Sequence, residues 1–240
     1  MRVAFECPTD LLEVVQPFAD FDWILADRFL EDEKYAQYYT QSTNFKVVDN
    51  SVTEKGEPLD PAKLIEVVEA VKADAVVSPD WINDFQRTVE AYLQFKETKF
   101  NLETQPIIAG VLQGSTPEEA LQCLPYYDAQ LVLVPYRVGG SEKNTPNWIK
   151  ALKRVLVVKH INTNTNVHLL GFTTTDEFRW YAGMKNVVSI DTDVPIKAGL
   201  AKVDIDDFDR SSDEPKVVLN KDTWAGICRN IALFRKETNV

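Results

Sequence analysis

Eight short runs of β-branched and apolar residues recur along the chain, at 2–6, 22–27, 44–51, 74–80, 106–114, 130–136, 167–172 and 186–195. Stretches with helical signals separate them. Short apolar runs bounded by turn residues read as strands, and the near-continuous hydrophobicity of the third to eighth runs is the pattern of parallel strands covered on both faces. Eight such βα units in 240 residues match a single (β/α)8 barrel of TIM type, which takes about 250 residues. A doubly wound sheet is the competitor, but no Gly-x-Gly-x-x-Gly turn follows the first strand to hold a dinucleotide. No linker rich in Gly, Pro or Ser divides residues 1–240, so they are read as one barrel domain closing on a C-terminal helix at 224–236.

The intervening helices carry their own start signals. Asp60-Pro61 supplies an N-cap and a first-turn proline, and Leu64, Val67, Val68 and Val71 then form one apolar stripe. Thr116-Pro117-Glu118-Glu119 is a capping box, and Thr174 with Glu177 predicts another. Tyr35, Tyr38 and Tyr39 lie at helical spacing and are expected to pack in the core.

A barrel brings the C-terminal ends of its strands to one face, so residues far apart in sequence share a pocket. Here that face collects Glu6, Asp27, Asp49, Asp80, Gln113, Tyr136, Gly171, Asp191 and Asp193. Loops begin at strand ends, so some polar residues are expected there whatever the function. Carboxylates crowded into one cleft nevertheless repel one another, and burial raises their pKa values further. Folds keep such clusters at cation sites or where acids and bases work.

Composition narrows the chemistry. Cys7, Cys123 and Cys228 are far apart and only His160 and His168 are present, so neither a cysteine-rich zinc site nor a histidine metal site is expected. No apolar run approaches the ~20 residues of a membrane helix, and a soluble cytoplasmic protein without cofactor is the expectation. The net charge of −11 argues against broad nucleic-acid binding, so any such contact must be local. Arg137, Lys143, Lys150, Lys153, Arg154 and Lys159 follow the sixth strand; they form either a local phosphate track or the solvated face of one helix.

Several segments carry a family resemblance. Val48-Asp49-Asn50-Ser51, Ser78-Pro79-Asp80, Gly110-Val111-Leu112-Gln113-Gly114-Ser115, His168-Leu169-Leu170-Gly171 and Ser189-Ile190-Asp191-Thr192-Asp193-Val194-Pro195 occur in that order. Over about residues 43–200 the chain resembles the queuine/archaeosine tRNA-guanine transglycosylase superfamily, in particular its compact phage-type branch that modifies DNA. The resemblance implies exchange of guanine in DNA for a 7-deazaguanine, on a flipped or single-stranded nucleotide. It implies Asp191 as the nucleophile on the sugar C1′, with a covalent glycosyl intermediate, and Asp49 as the general acid/base. It further implies that Asp80 and Gln113, followed by Gly114, read the base edge, that Leu170 and Gly171 pack on the ring, and that Gly139 and Gly140 offer backbone amides. Asp193, two residues past Asp191, is the rival nucleophile. The tRNA enzymes carry a cysteine-rich zinc subdomain after the barrel, and this sequence has only Cys228 there. Two other classes fit the same carboxylates: a hydrolase built around a divalent cation, and a non-catalytic barrel subunit.

Overall fold

Parallel strands cannot be joined by tight turns, so each βα unit carries its chain back across the outside of the sheet. Eight of them build one sheet in the order β1-β8-β7-β6-β5-β4-β3-β2, nearly closed into a barrel. The strands are β1 (Arg2–Phe5), β2 (Asp22–Leu25), β3 (Lys46–Asp49), β4 (Ala75–Val77), β5 (Ile107–Val111), β6 (Leu131–Pro135), β7 (Asn166–Leu170) and β8 (Val187–Thr192). Every strand-to-strand ladder is parallel. The computed structural model describes residues 1–128, 130–140, 145–172, 174–208 and 215–238.

Helices α1 (Leu12–Val15), α2 (Ala26–Glu31), α3 (Glu33–Gln41), α4 (Val52–Lys55), α5 (Pro61–Val71) and α6 (Phe85–Phe95) accompany the first half of the barrel. Helices α7 (Pro117–Leu121), α8 (Asn147–Lys159), α9 (Val194–Ala201) and α10 (Lys221–Thr238) accompany the second. The expected stripe on α5 is buried through Leu64, Val67, Val68 and Val71, and Asp60 caps it by accepting from the Ala62 N–H. Glu119 donates its N–H to Thr116 Oγ1, as a capping box requires, but its side chain reaches the Ser115 N–H. Thr174 makes no side-chain cap; a 3-10 helix, Thr175–Tyr181, starts there instead, and Glu177 turns inward. Tyr35 and Tyr39 are buried, as expected of a core face.

Several strands are shorter than the sequence suggests. The second ends at Leu25 because the chain enters α2 directly, which puts Asp27 in a helical first turn. The fourth is only Ala75–Val77, and Ser78-Pro79-Asp80 leads away from it.

Alternation along the strands divides the core in two. Ala4, Trp23, Val47, Ala75, Val77, Ala109, Val111 and Leu133 fill the barrel interior, with alanines making room for the Trp23 indole. Val3, Phe5, Ile24, Val48, Val76, Val134, Leu169 and Ile190 face the helices. His168 pairs in register with Leu133 and Ser189, and Asp191 with Ala4, so these polar residues fall on the inward-facing set.

Candidate active site

The C-terminal ends of the strands enclose a cavity of about 380 Å³. Asp49, Asp80, Gln113, Leu170, Gly171 and Asp191, all expected at the site, line it together.

Asp191 sits near the end of β8 and is buried. Its Oδ1 accepts from His168 Nε2 at 2.8 Å and from the Gly171 N–H at 3.2 Å. Gly171 adopts φ +61°, a conformation open to glycine, and this turns its amide toward Asp191. On the other side, Glu6 follows β1; its N–H donates to the Thr192 carbonyl at 3.0 Å, and its carboxyl hydrogen-bonds Asp191.

The two carboxyls are driven apart. Burial, then the negative charges of Asp191 and Asp193, push Glu6 well above the usual carboxylate range. Burial presses Asp191 upward too, but the His168 hydrogen bond and charge, with Glu6 and the Gly171 amide, outweigh it and hold Asp191 below its ordinary value. Of the pair, Glu6 is therefore the one that favours its proton and Asp191 the one that favours its charge, an arrangement that separates an acid from a nucleophile or base.

Asp49 ends β3 across the cavity. Burial and the neighbouring Glu54 charge push it well upward, against the Ser51 N–H that donates to its Oδ1 at 2.7 Å. Asp80 is pushed up to about 6 by burial, with hydrogen bonds from Asn50 and Gln113 opposing. Its two oxygens accept from Asn50 Nδ2 at 2.7 Å and Gln113 Nε2 at 2.6 Å. Gln113 Oε1 accepts from the Asn83 N–H at 3.1 Å, so Asp80 and Gln113 form one fixed unit.

Other expected residues stand elsewhere. Gly114, Gly139 and Gly140 are absent from the cavity lining. Gly114 presses on Ala120, Gly139 on Pro117 and Gly140 on the Ser115 carbonyl, leaving no room for a Cβ at any of them. Gly140 also needs its φ of +69°. These glycines let the loops after β5 and β6 pack closely, and so shape the cavity wall from behind.

The basic residues after β6 do not form one solvated track. Arg137 alone among those described reaches the cavity, with its guanidinium 4.9 Å from the Tyr136 ring centre. Lys153 donates to the Gly139 carbonyl at 2.9 Å, and Lys150 is buried. Arg154 is wholly buried, paired with Glu177 and donating to the carbonyls of Leu170 and Gly171. Its charge is spent on holding the end of β7, not on a phosphate. Lys143 lies outside the described residues.

Asp27 also stays out of the cavity, its N–H donating to Ser51 Oγ at 3.1 Å. Glu54, which the strand-end reading missed, enters on the one-turn helix α4. Asp193 lines the cavity but is paired with Lys197 at 2.7 Å. Among the described residues, no group of three or more His, Cys, Asp or Glu side chains is arranged to hold a metal ion. No described helix is long and apolar enough to cross a membrane.

Neither a family model nor a curated protein matches this chain. Fold and cavity define its class as a (β/α)8 barrel whose strand ends present Asp191, held below its ordinary pKa, beside buried carboxyls pushed upward.

Proposed function

We propose that this barrel is a DNA guanine transglycosylase, exchanging guanine for a 7-deazaguanine through a covalent aspartyl-glycosyl intermediate. The observation that carries this reading is the division of labour in the cavity: Asp191 held ionised by His168 and Gly171, and Asp49 pushed toward its protonated form. In this scheme an Asp191 carboxylate oxygen bonds to the sugar C1′ as the C1′–N9 bond breaks, and the Asp49 proton passes to the departing base. The incoming 7-deazaguanine then attacks C1′ through N9, gives its N9 proton to Asp49 and frees Asp191. Two inversions retain configuration, as in retaining glycosidases.

The fixed Asp80–Gln113 pair suits the edge of a guanine-like ring. Each Asp80 oxygen keeps a further lone pair for ring N–H groups, and Gln113 keeps a second N–H for a ring carbonyl. A guanine in a duplex cannot reach such a recess, so the substrate is a flipped or single-stranded nucleotide. With the net charge at −11, the backbone contact is local, and Arg137 at the cavity is its candidate.

The test is incubation of the protein with DNA and labelled guanine, with label counted in the polymer and covalent protein–DNA adduct sought on denaturing gels. Asp191→Asn is expected to abolish both while DNA binding persists, because an amide keeps the shape but cannot form the glycosyl ester. Adduct surviving in Asp191→Asn but lost in Asp193→Asn would move the nucleophile by two residues. Exchange unchanged in every variant, or absent from the parent, would end the reading. Sensitivity of turnover to EDTA would favour the cation-dependent hydrolase instead.

A further inference from the structure

His168 is a buried polar group of the barrel interior, and the exchange scheme uses it only as a partner of Asp191. Its ring lies flat on Trp23, with centroids 4.6 Å apart and planes 5° from parallel, and Phe21 meets it edge-on at 6.1 Å. Both ring nitrogens are engaged: Nδ1 with Ser189 Oγ at 2.9 Å and Nε2 with Asp191 Oδ1 at 2.8 Å. A carboxylate only accepts, so Nε2 carries the hydrogen, and the Ser189 hydroxyl, which can both donate and accept, partners Nδ1. Oδ1 of Asp191 thus has two donors, His168 and the Gly171 amide, which fix the orientation of the carboxyl group.

We infer that His168 is the positioning residue of Asp191: locked by Trp23 and Ser189, it pins Oδ1 and so sets the orientation in which the carboxyl group meets the sugar carbon. The inference rests on the transglycosylase reading for its catalytic consequence, though not for its geometry. The groups that bear on the ionisation of Asp191 are Glu6 from the end of β1, His168 from β7, Asp49 from β3, Glu54 from α4, and Asp193 with its partner Lys197. Apart from Lys197 and His168 all are acidic, so losing the histidine donor leaves Asp191 facing mainly negative neighbours.

Two substitutions separate this role from mere packing. His168→Phe keeps a flat ring for Trp23 and removes both nitrogens; His168→Gln returns an N–H donor near the place of Nε2. The Phe variant is expected to form covalent adduct on the order of 10- to 100-fold more slowly, the usual cost of losing a group that orients a reacting one, with KM for DNA little changed. The acid limb of its pH–rate profile moves to higher pH, since Asp191 loses the donor that favours its charged form. The Gln variant recovers rate and pH limb together. A Phe variant with the parent's rate and pH profile overturns the inference, as does a Gln variant no better than Phe. Nitrogen-15 spectra of the imidazoles give a second measure that needs no turnover, and the chain has only two histidines to assign. The parent is expected to show His168 with Nε2 protonated; an Nδ1-protonated neutral ring overturns the inference even if exchange proceeds. If the parent exchanges no guanine, the transglycosylase reading fails, and the nitrogen spectrum alone decides whether His168 pins Asp191.

Discussion

Asp191 and Asp80 are both buried aspartates at one cavity, yet their neighbours drive them in opposite directions. Asp191 meets a histidine and a backbone amide; Asp80 meets only neutral amides, which offset burial incompletely. The difference has a measurable consequence for stability. Asp80 is raised from 3.8 to about 6 in the fold, so the folded state binds its proton more tightly than the unfolded chain does. Its contribution is therefore fully present below about pH 4 and is lost as pH rises through about 6, a swing on the order of 2–3 kcal/mol. Comparing urea unfolding of the parent with Asp80→Asn between pH 4 and 7 checks this. The parent is expected to lose stability across that window relative to the variant, and parallel pH curves would contradict the assignment. Glu6 and Asp49 are raised as well and add slope of the same sign in both proteins.

At the scale of elements, the corner after β3 and the brace behind β7 explain what could and could not be read from sequence. The strand-end carboxylates Asp49, Asp80 and Asp191 were legible because apolar runs ending in acids, placed in a parallel barrel, must converge on one face. Glu54 was not, since it depends on a turn made by tertiary bonds. Ser51 adopts φ +60° while its N–H donates to Asp49, and Asn50 reaches across to the Ser78 carbonyl and Asp80. Only with that corner fixed does α4 carry Glu54 over the cavity. Arg154 misled for a related reason. Basic residues along a helix resemble a solvated face, whereas the buried partner that claims this one, Glu177, lies 23 residues further on. Arg154→Met strands that carboxylate in the core and is expected to cost about 3–5 kcal/mol in chemical unfolding. Adding Glu177→Leu should recover only part of the loss, because the Gly171 carbonyl still lacks the Arg154 donor and the Leu170 carbonyl keeps only the Tyr136 N–H. Full recovery in the double variant would show that those two bonds contribute nothing.

For the whole molecule, the decisive region is the seam where β1 and β2 meet, among the described residues the one junction without a strand-to-strand ladder. Its backbone groups are satisfied by side chains and a loop amide instead. Asp20 donates its N–H to the Val3 carbonyl at 2.7 Å and accepts the Val3 N–H on its carboxylate at 2.8 Å. Gln16 Nε2 donates to the Phe5 carbonyl at 2.7 Å, and the Leu25 N–H donates to Tyr35 Oη at 3.1 Å. Arg235 of α10 then clamps the loop from outside through Asp20 and the Phe18 carbonyl, tying the C-terminal helix to the first strand. The seam matters to the site because Glu6 directly follows β1 and Asp49 pairs in register with Leu25. Tyr35→Phe isolates one stitch: the ring still fills its core position, but the buried Leu25 N–H loses its acceptor. The expected cost is about 1–3 kcal/mol. Native-state hydrogen exchange should show it locally, with the Leu25 amide opening faster while amides of the β4–β5–β6 ladders keep their protection. Exchange accelerated equally over all eight strands would mean that the barrel opens as a unit and that the seam is not its weakest junction.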